Sequence, residues 1–163
     1  MHHNRIEVIY MQLTQKETTL LKDLQDQEKV CVDKYKKYAS EAKDGQLKNL
    51  FTQIAQIEQN HYDTISTIMQ GQQPQMNSGG GEQTPSTFTA TYTGSSNTED
   101  KNHDSFLCSD LLATEKHVSS VYNTCIFEFN DSNIRNVLNH IQKEEQQHGD
   151  SLYKYMSTNA MYG

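Results

Sequence analysis

No stretch of the chain approaches the ~20 consecutive apolar residues that a helix needs to cross a bilayer, which excludes a membrane-spanning helix. Blocks of basic charge are missing as well. The 14 lysines and arginines are scattered among 21 aspartates and glutamates, for a formal charge of −7. That balance excludes nucleic acid and anionic membrane as partners. Cysteine is sparse: Cys31, Cys108 and Cys125 are odd in number and widely spaced, which excludes a disulfide framework or a zinc knuckle. They read as small buried apolar groups. The N-terminus has no apolar signal core followed by small residues, so the chain is expected to be cytosolic at synthesis. Its first eleven residues are poorly patterned; Met11 is a candidate start, and His2 and His3 read as part of a disordered end, not as ligands.

What the chain does have is helical period. One apolar stripe runs through Leu20, Leu21, Leu24, Cys31, Val32, Tyr35 and Ala39, and a second through Leu47, Leu50, Phe51, Ile54, Ile65 and Ile68. Between them stand Asp44, a candidate cap, and Gly45, a candidate stop. From Gly71 to Asp100 the period vanishes. This tract holds both prolines, a Ser78-Gly79-Gly80-Gly81 run and a Thr/Ser-rich segment, and it reads as a linker. Thr87 to Thr93 alternates like a strand, and lying along the helices or remaining mobile are both open for it. The period resumes near Asp104 and, after the turn at Asn130-Asp131-Ser132, continues to Tyr155. The expectation is one all-α domain over 1–163: a helical hairpin over about 14–70, a flexible linker over 71–100 and a second hairpin over about 104–158. Two hairpins joined by one long crossover give a ferritin-like four-helix bundle.

The chain is also an internal repeat. Glu28, Lys29, Tyr35, Asp44, Ile54, Glu58, His61 and Asp63 recur 87 positions later as Glu115, Lys116, Tyr122, Asp131, Ile141, Glu145, His148 and Asp150. Four of these are glutamates that interrupt apolar stripes instead of lying opposite them. Residues three apart share a helix face, so Glu58 with His61 and Glu145 with His148 each present a carboxylate and an imidazole to one neighbour. Each glutamate is also about equally far from its hairpin turn, so all four can meet in one layer. One Glu from each of two helices plus Glu-x-x-His from each of the other two is a ligand set for two divalent ions, iron or manganese. Charge agrees: four inward carboxylates without cations would repel and take up protons, whereas two divalent ions cancel them. The metal ligands expected are therefore Glu28, Glu58, His61, Glu115, Glu145 and His148. Against this stands the ordinary reading of a lone buried Glu as a snorkelling side chain and a lone His as a core histidine.

Other residues carry weaker signals. Tyr35 and Tyr122 lie two turns beyond Glu28 and Glu115 on the same face; core packing with a satisfied hydroxyl is their main expected role, and a bond to a ligand or service as redox-active phenols the alternatives. Glu144 can orient a histidine from the other hairpin or simply be exposed. His117 and His140 fall off the ligand stripes. Cys31, one turn from Glu28, is expected to be a small buried hydrophobe, with oxidation by a metal-bound peroxide the alternative.

Residues 109–162 resemble the spore coat protein F family of endospore-forming bacteria. The likeness rests on Leu111-Leu112-x-x-Glu115-Lys116-His117, on Arg135-x-x-Leu138 and on Tyr153-x-x-Met156. The full order of Glu, Glu-x-x-His, Glu, Glu-x-x-His is similar to rubrerythrins and the wider ferritin-like superfamily. The first resemblance implies a spore coat component that self-associates or binds other coat proteins. The second implies iron or manganese at the six residues above, with O₂ or peroxide as co-substrate. The Cys-x-x-Cys electron-transfer module and extra glutamate of many rubrerythrins are not evident. Two functions follow as expectations: a metal-stapled structural unit of the coat, and a di-iron or di-manganese oxidoreductase.

Overall fold

Short polar side chains set where the helices begin. Thr14 accepts from the Glu17 amide while the Glu17 carboxylate accepts from the Thr14 amide, a reciprocal cap that starts α1 (Gln15–Glu41). Asp44 caps α2 (Gly45–Met69) through the Gln46 amide, and Asp131 caps α4 (Ser132–Thr158) through the amides of Asn133 and Ile134. The remaining helix, α3 (Thr98–Glu128), follows Asn97, whose backbone is left-handed and whose side chain makes no capping bond. In this computed structural model residues 10–75 and 84–162 are described, and among them there is no strand. The expected disordered end with His2 and His3 lies outside the described residues, as does the Ser78–Gly81 run.

Helices α1 and α2 form one hairpin, α3 and α4 the other, and α1 packs on α3 as α2 does on α4. Both of these cross-hairpin contacts are antiparallel, since Tyr35 meets Glu115 while Tyr122 meets Glu28, and His61 meets Glu145 while His148 meets Glu58. The connection from α2 to α3 must therefore run the length of the bundle. The end it leaves is pinned at Gly71, whose carbonyl accepts from the Met11 amide at 2.7 Å and whose φ of +77° suits glycine; a Cβ there would come 3.0 Å from the Met11 carbonyl oxygen.

The core is two apolar clusters with a polar layer between them. One contains Leu21, Leu24, Ile65, Ile68, Val118, Phe129, Ile134 and Leu138; the other contains Leu47, Phe51, Ile54, Leu107, Leu111, Leu152 and Tyr155. Such burial stabilises by roughly 25 cal/mol per Å² of apolar surface, and a charged layer in its midst needs a specific compensation. All three cysteines are buried and unpaired, as expected.

Three details differ from the sequence reading. Gly45 is the first residue of α2, not the stop of α1, which ends at Ala42 in extended backbone. Helix α3 begins at Thr98, ahead of the apolar period, because its first turn is polar on every side. The linker is also partly packed. Thr91 donates to Asp44, the amides of Thr91 and Tyr92 donate to Asn159 Oδ1, and the Tyr92 hydroxyl lies 2.6 Å from Asp104 Oδ2. Asp104 is fully buried and takes two further bonds from the amides of Lys43 and Asp44. Buried carboxylates need donors, and the linker supplies them.

Candidate metal centre

The polar layer consists of the six residues singled out by the repeat. Glu28 from α1, Glu58 and His61 from α2, Glu115 from α3, and Glu145 and His148 from α4 are each no more than 3% exposed. Their atoms form two groups of four, Glu28, Glu58, His61 and Glu145, and Glu58, Glu115, Glu145 and His148, with the candidate ligand atoms of each within 4.8 Å of one another. Glu58 and Glu145 belong to both groups. His61 Nδ1 lies 2.9 Å from Glu145 and 3.3 Å from Glu58, while His148 Nδ1 lies 2.9 Å from Glu58 and 3.3 Å from Glu115. The rings stack with centroids 5.9 Å apart. The arrangement is nearly two-fold, as a duplicated hairpin requires.

Hydrogen bonding does not satisfy this layer. Glu28 Oε2, Glu115 Oε2 and Glu145 Oε2 are buried with no hydrogen-bond partner. Buried orphan oxygens of this kind are rare and each needs an explanation. Protons are one remedy. Burial, then the Glu58 and Glu145 charges, push the Glu28 carboxyl well above its ordinary range, and burial with the Glu145 charge raises Glu115 to about 8. Burial and the Glu115 charge oppose ionisation of Glu58 too, yet the neighbouring Glu28 carboxyl and the imidazoles of His148 and His61 bring it down to about 2. Glu145 is lowered in the same way by Glu115, His148 and His61. Both histidines resist the effect of burial: Glu144, Glu145 and Glu58 raise His61, and Glu115, Glu145 and Glu58 raise His148. The shifts of Glu28, Glu115 and both histidines all favour the protonated form and so reduce the negative charge of the metal-free layer. Two divalent ions are the other remedy, and the oxygen and imidazole donors suit iron or manganese.

Tyr35 and Tyr122 extend the layer along the helix axes. The Tyr35 hydroxyl donates to Glu115 Oε1 at 2.6 Å, and the Tyr122 hydroxyl to Glu28 Oε1 at 2.5 Å. Core packing was the main role expected of them; each packs in the core and also bonds a candidate ligand on the other hairpin. Glu144 is half-buried and lies 3.3 Å from His61 Nε2, the orienting role rather than the exposed one. His140, off the stripe, lies 3.1 Å from Glu144, whereas His117 is exposed. Cys31 is buried, as expected, and burial raises its thiol far above the ordinary range. Sequence reasoning missed the buried Asp104 and its bond to Tyr92. Its only signal was an aspartate one turn before Leu107 and Cys108 on their own face.

The C-terminal part of the chain is similar to a known family. Residues 103–163 match the family model of the Coat F domain. This part of the chain is similar to a Coat F domain. No curated protein and no solved structure matches the chain. The matched residues cover most of α3 and all of α4, so they include Glu115, Glu145 and His148, while Glu28, Glu58 and His61 come from the N-terminal hairpin. Neither group of four lies within the matched residues alone. The N-terminal repeat completes both.

Proposed function

We propose that this protein is a spore coat component in which a ferritin-like bundle holds two divalent ions, iron or manganese, chiefly to staple its two hairpins. One observation carries the reading: two groups of four ligand atoms, drawn from both hairpins, share Glu58 and Glu145. The Coat F match supports the coat as location and other coat proteins, or further copies of this chain, as partners. No helix among the described residues is long and apolar enough to cross a membrane, which agrees with an assembled coat protein.

Glu28, Glu58, His61 and Glu145 would hold one ion and Glu58, Glu115, Glu145 and His148 the other, and Tyr122 and Tyr35 would hold Glu28 and Glu115 in place by their hydroxyls. Bound ions would cancel the four carboxylate charges and, as iron or manganese, would bring redox chemistry suited to O₂ or peroxide. That chemistry, with a phenol bonded to each outer glutamate, supports oxidoreductase activity as the second reading.

The test begins with chelator-stripped protein. An ion that binds only the folded state adds about 4 kcal/mol at a thousandfold excess over its Kd, so Mn²⁺ or Fe²⁺ is expected to raise the melting temperature and bind as two ions per chain. Equal melting of stripped and reloaded protein would overturn the metal centre. Multiple-turnover peroxide consumption by Fe²⁺-loaded wild type that disappears in Glu115→Ala would move the assignment from staple to enzyme.

A further inference from the structure

The repeat that builds the centre is broken at one position beside it. Glu144, next to the ligand Glu145, corresponds to Ile57, next to the ligand Glu58. Glu144 Oε1 accepts from His61 Nε2 at 3.3 Å across the contact between α4 and α2. His140, one turn earlier, holds the same oxygen at 3.1 Å. On the other side Ile57 is 3% exposed and offers no acceptor, and the carboxylates around His148 all approach its Nδ1. The two imidazoles therefore have unlike surroundings in an otherwise two-fold layer.

An outer carboxylate acts on an imidazole ligand in two ways. It fixes the ring and keeps the proton on the outer nitrogen, which leaves the inner nitrogen free to bind, and it makes that nitrogen a stronger donor. Removing such partners commonly weakens metal affinity about 10–100-fold. We propose that Glu144 is a positioning residue that makes the two metal positions unequal, so that the position of Glu28 and His61 fills first and the position of Glu115 and His148 second. This rests on the metal reading above and adds an order of filling to it.

The test uses full-length, chelator-stripped protein titrated with Mn²⁺. In calorimetry the wild type is expected to show two binding events separated about 10–100-fold in Kd. At one Mn²⁺ per chain, electron paramagnetic resonance should show isolated ions with little of the spin-coupled pair. Glu144→Ile, which copies the N-terminal repeat, should bring the two affinities together and produce coupled pairs at the same loading. Glu144→Gln keeps a carbonyl acceptor for His61 Nε2, so it should retain part of the separation, and it serves also if the isoleucine variant does not fold. Absence of Mn²⁺ binding to wild type would overturn the metal reading and this inference together. Two ions bound with equal affinity by wild type, or an unchanged separation in Glu144→Ile or, where that variant does not fold, in Glu144→Gln, would overturn the inference and leave the metal reading standing.

Discussion

The Tyr122 hydroxyl donates to Glu28 Oε1 at 2.5 Å, tying the C-terminal hairpin to the N-terminal hairpin inside the core. Tyr35 and Glu115 make the mirror bond from the other side. Tyr122→Phe deletes the donor and leaves a second oxygen of Glu28 buried without a partner, a loss of ~1–3 kcal/mol. Denaturant unfolding of stripped protein should register that loss. Mn²⁺ stoichiometry should stay at the wild-type value, because the phenol is no ligand; a variant that binds fewer ions would show that it is.

The proton inventory of the layer fixes how stripped protein responds to pH. Glu115, near 8 when folded against an ordinary 4.5, holds a proton that the unfolded chain has given up, as does Glu28. Such groups stabilise fully below the unfolded value, and the stability is lost as pH rises through the folded one. The raised histidines act in the same direction above their ordinary 6.5. Glu58 acts oppositely, but its contribution is lost only as pH falls from about 4.5 towards 2. The melting temperature of stripped protein should therefore decline from pH 5 to pH 9. A flat or rising profile over that span would contradict the charge state described.

Much of the bundle was legible because repetition made weak signals add. A single glutamate in an apolar stripe says little, yet Glu28, Glu58, Glu115 and Glu145 recur at one offset beside two histidines, and the structure brings all six into one buried layer. The partners of Tyr35 and Tyr122 were not legible, since a bond between helices depends on the packing of α1 on α3, which helical period does not encode. Asp104 escaped for a related reason: its donors come from the α1–α2 turn and the linker, neither of which has a period. Gly45 misled because glycine after a helix and glycine at the first position of the next look alike in sequence.

The packed part of the crossover gives a prediction of its own. Asn159 Oδ1 accepts the amides of both Thr91 and Tyr92, and the Phe88 ring meets Tyr155 edge to face at 5.5 Å. Native wild-type protein should resist proteolysis between Thr84 and Asn97. Asn159→Ala removes the shared acceptor, and cleavage in that interval should rise several-fold while the helical circular dichroism is kept. Equal cleavage of both proteins would mean that the segment is held by other contacts.

Metal binding should also be readable as protons released. At pH 7 the metal-free layer holds protons on Glu28, Glu115, His61 and His148, whereas ligands to a divalent ion must be deprotonated carboxylates and neutral imidazoles. Glu58 and Glu145, already ionised, have none to give. Filling both positions should release about four protons per chain, one from each protonated group. Calorimetry of Mn²⁺ binding in buffers of different ionisation heat measures this number directly, as the slope of observed heat against buffer heat. At pH 9 the number should be lower, because Glu115, raised to about 8, has then lost its proton before the metal arrives. Apparent affinity should rise with pH over the same range. A slope near zero at pH 7, with two ions bound, would mean that the layer is already anionic without metal and that its orphan oxygens are stabilised in some way other than by protons.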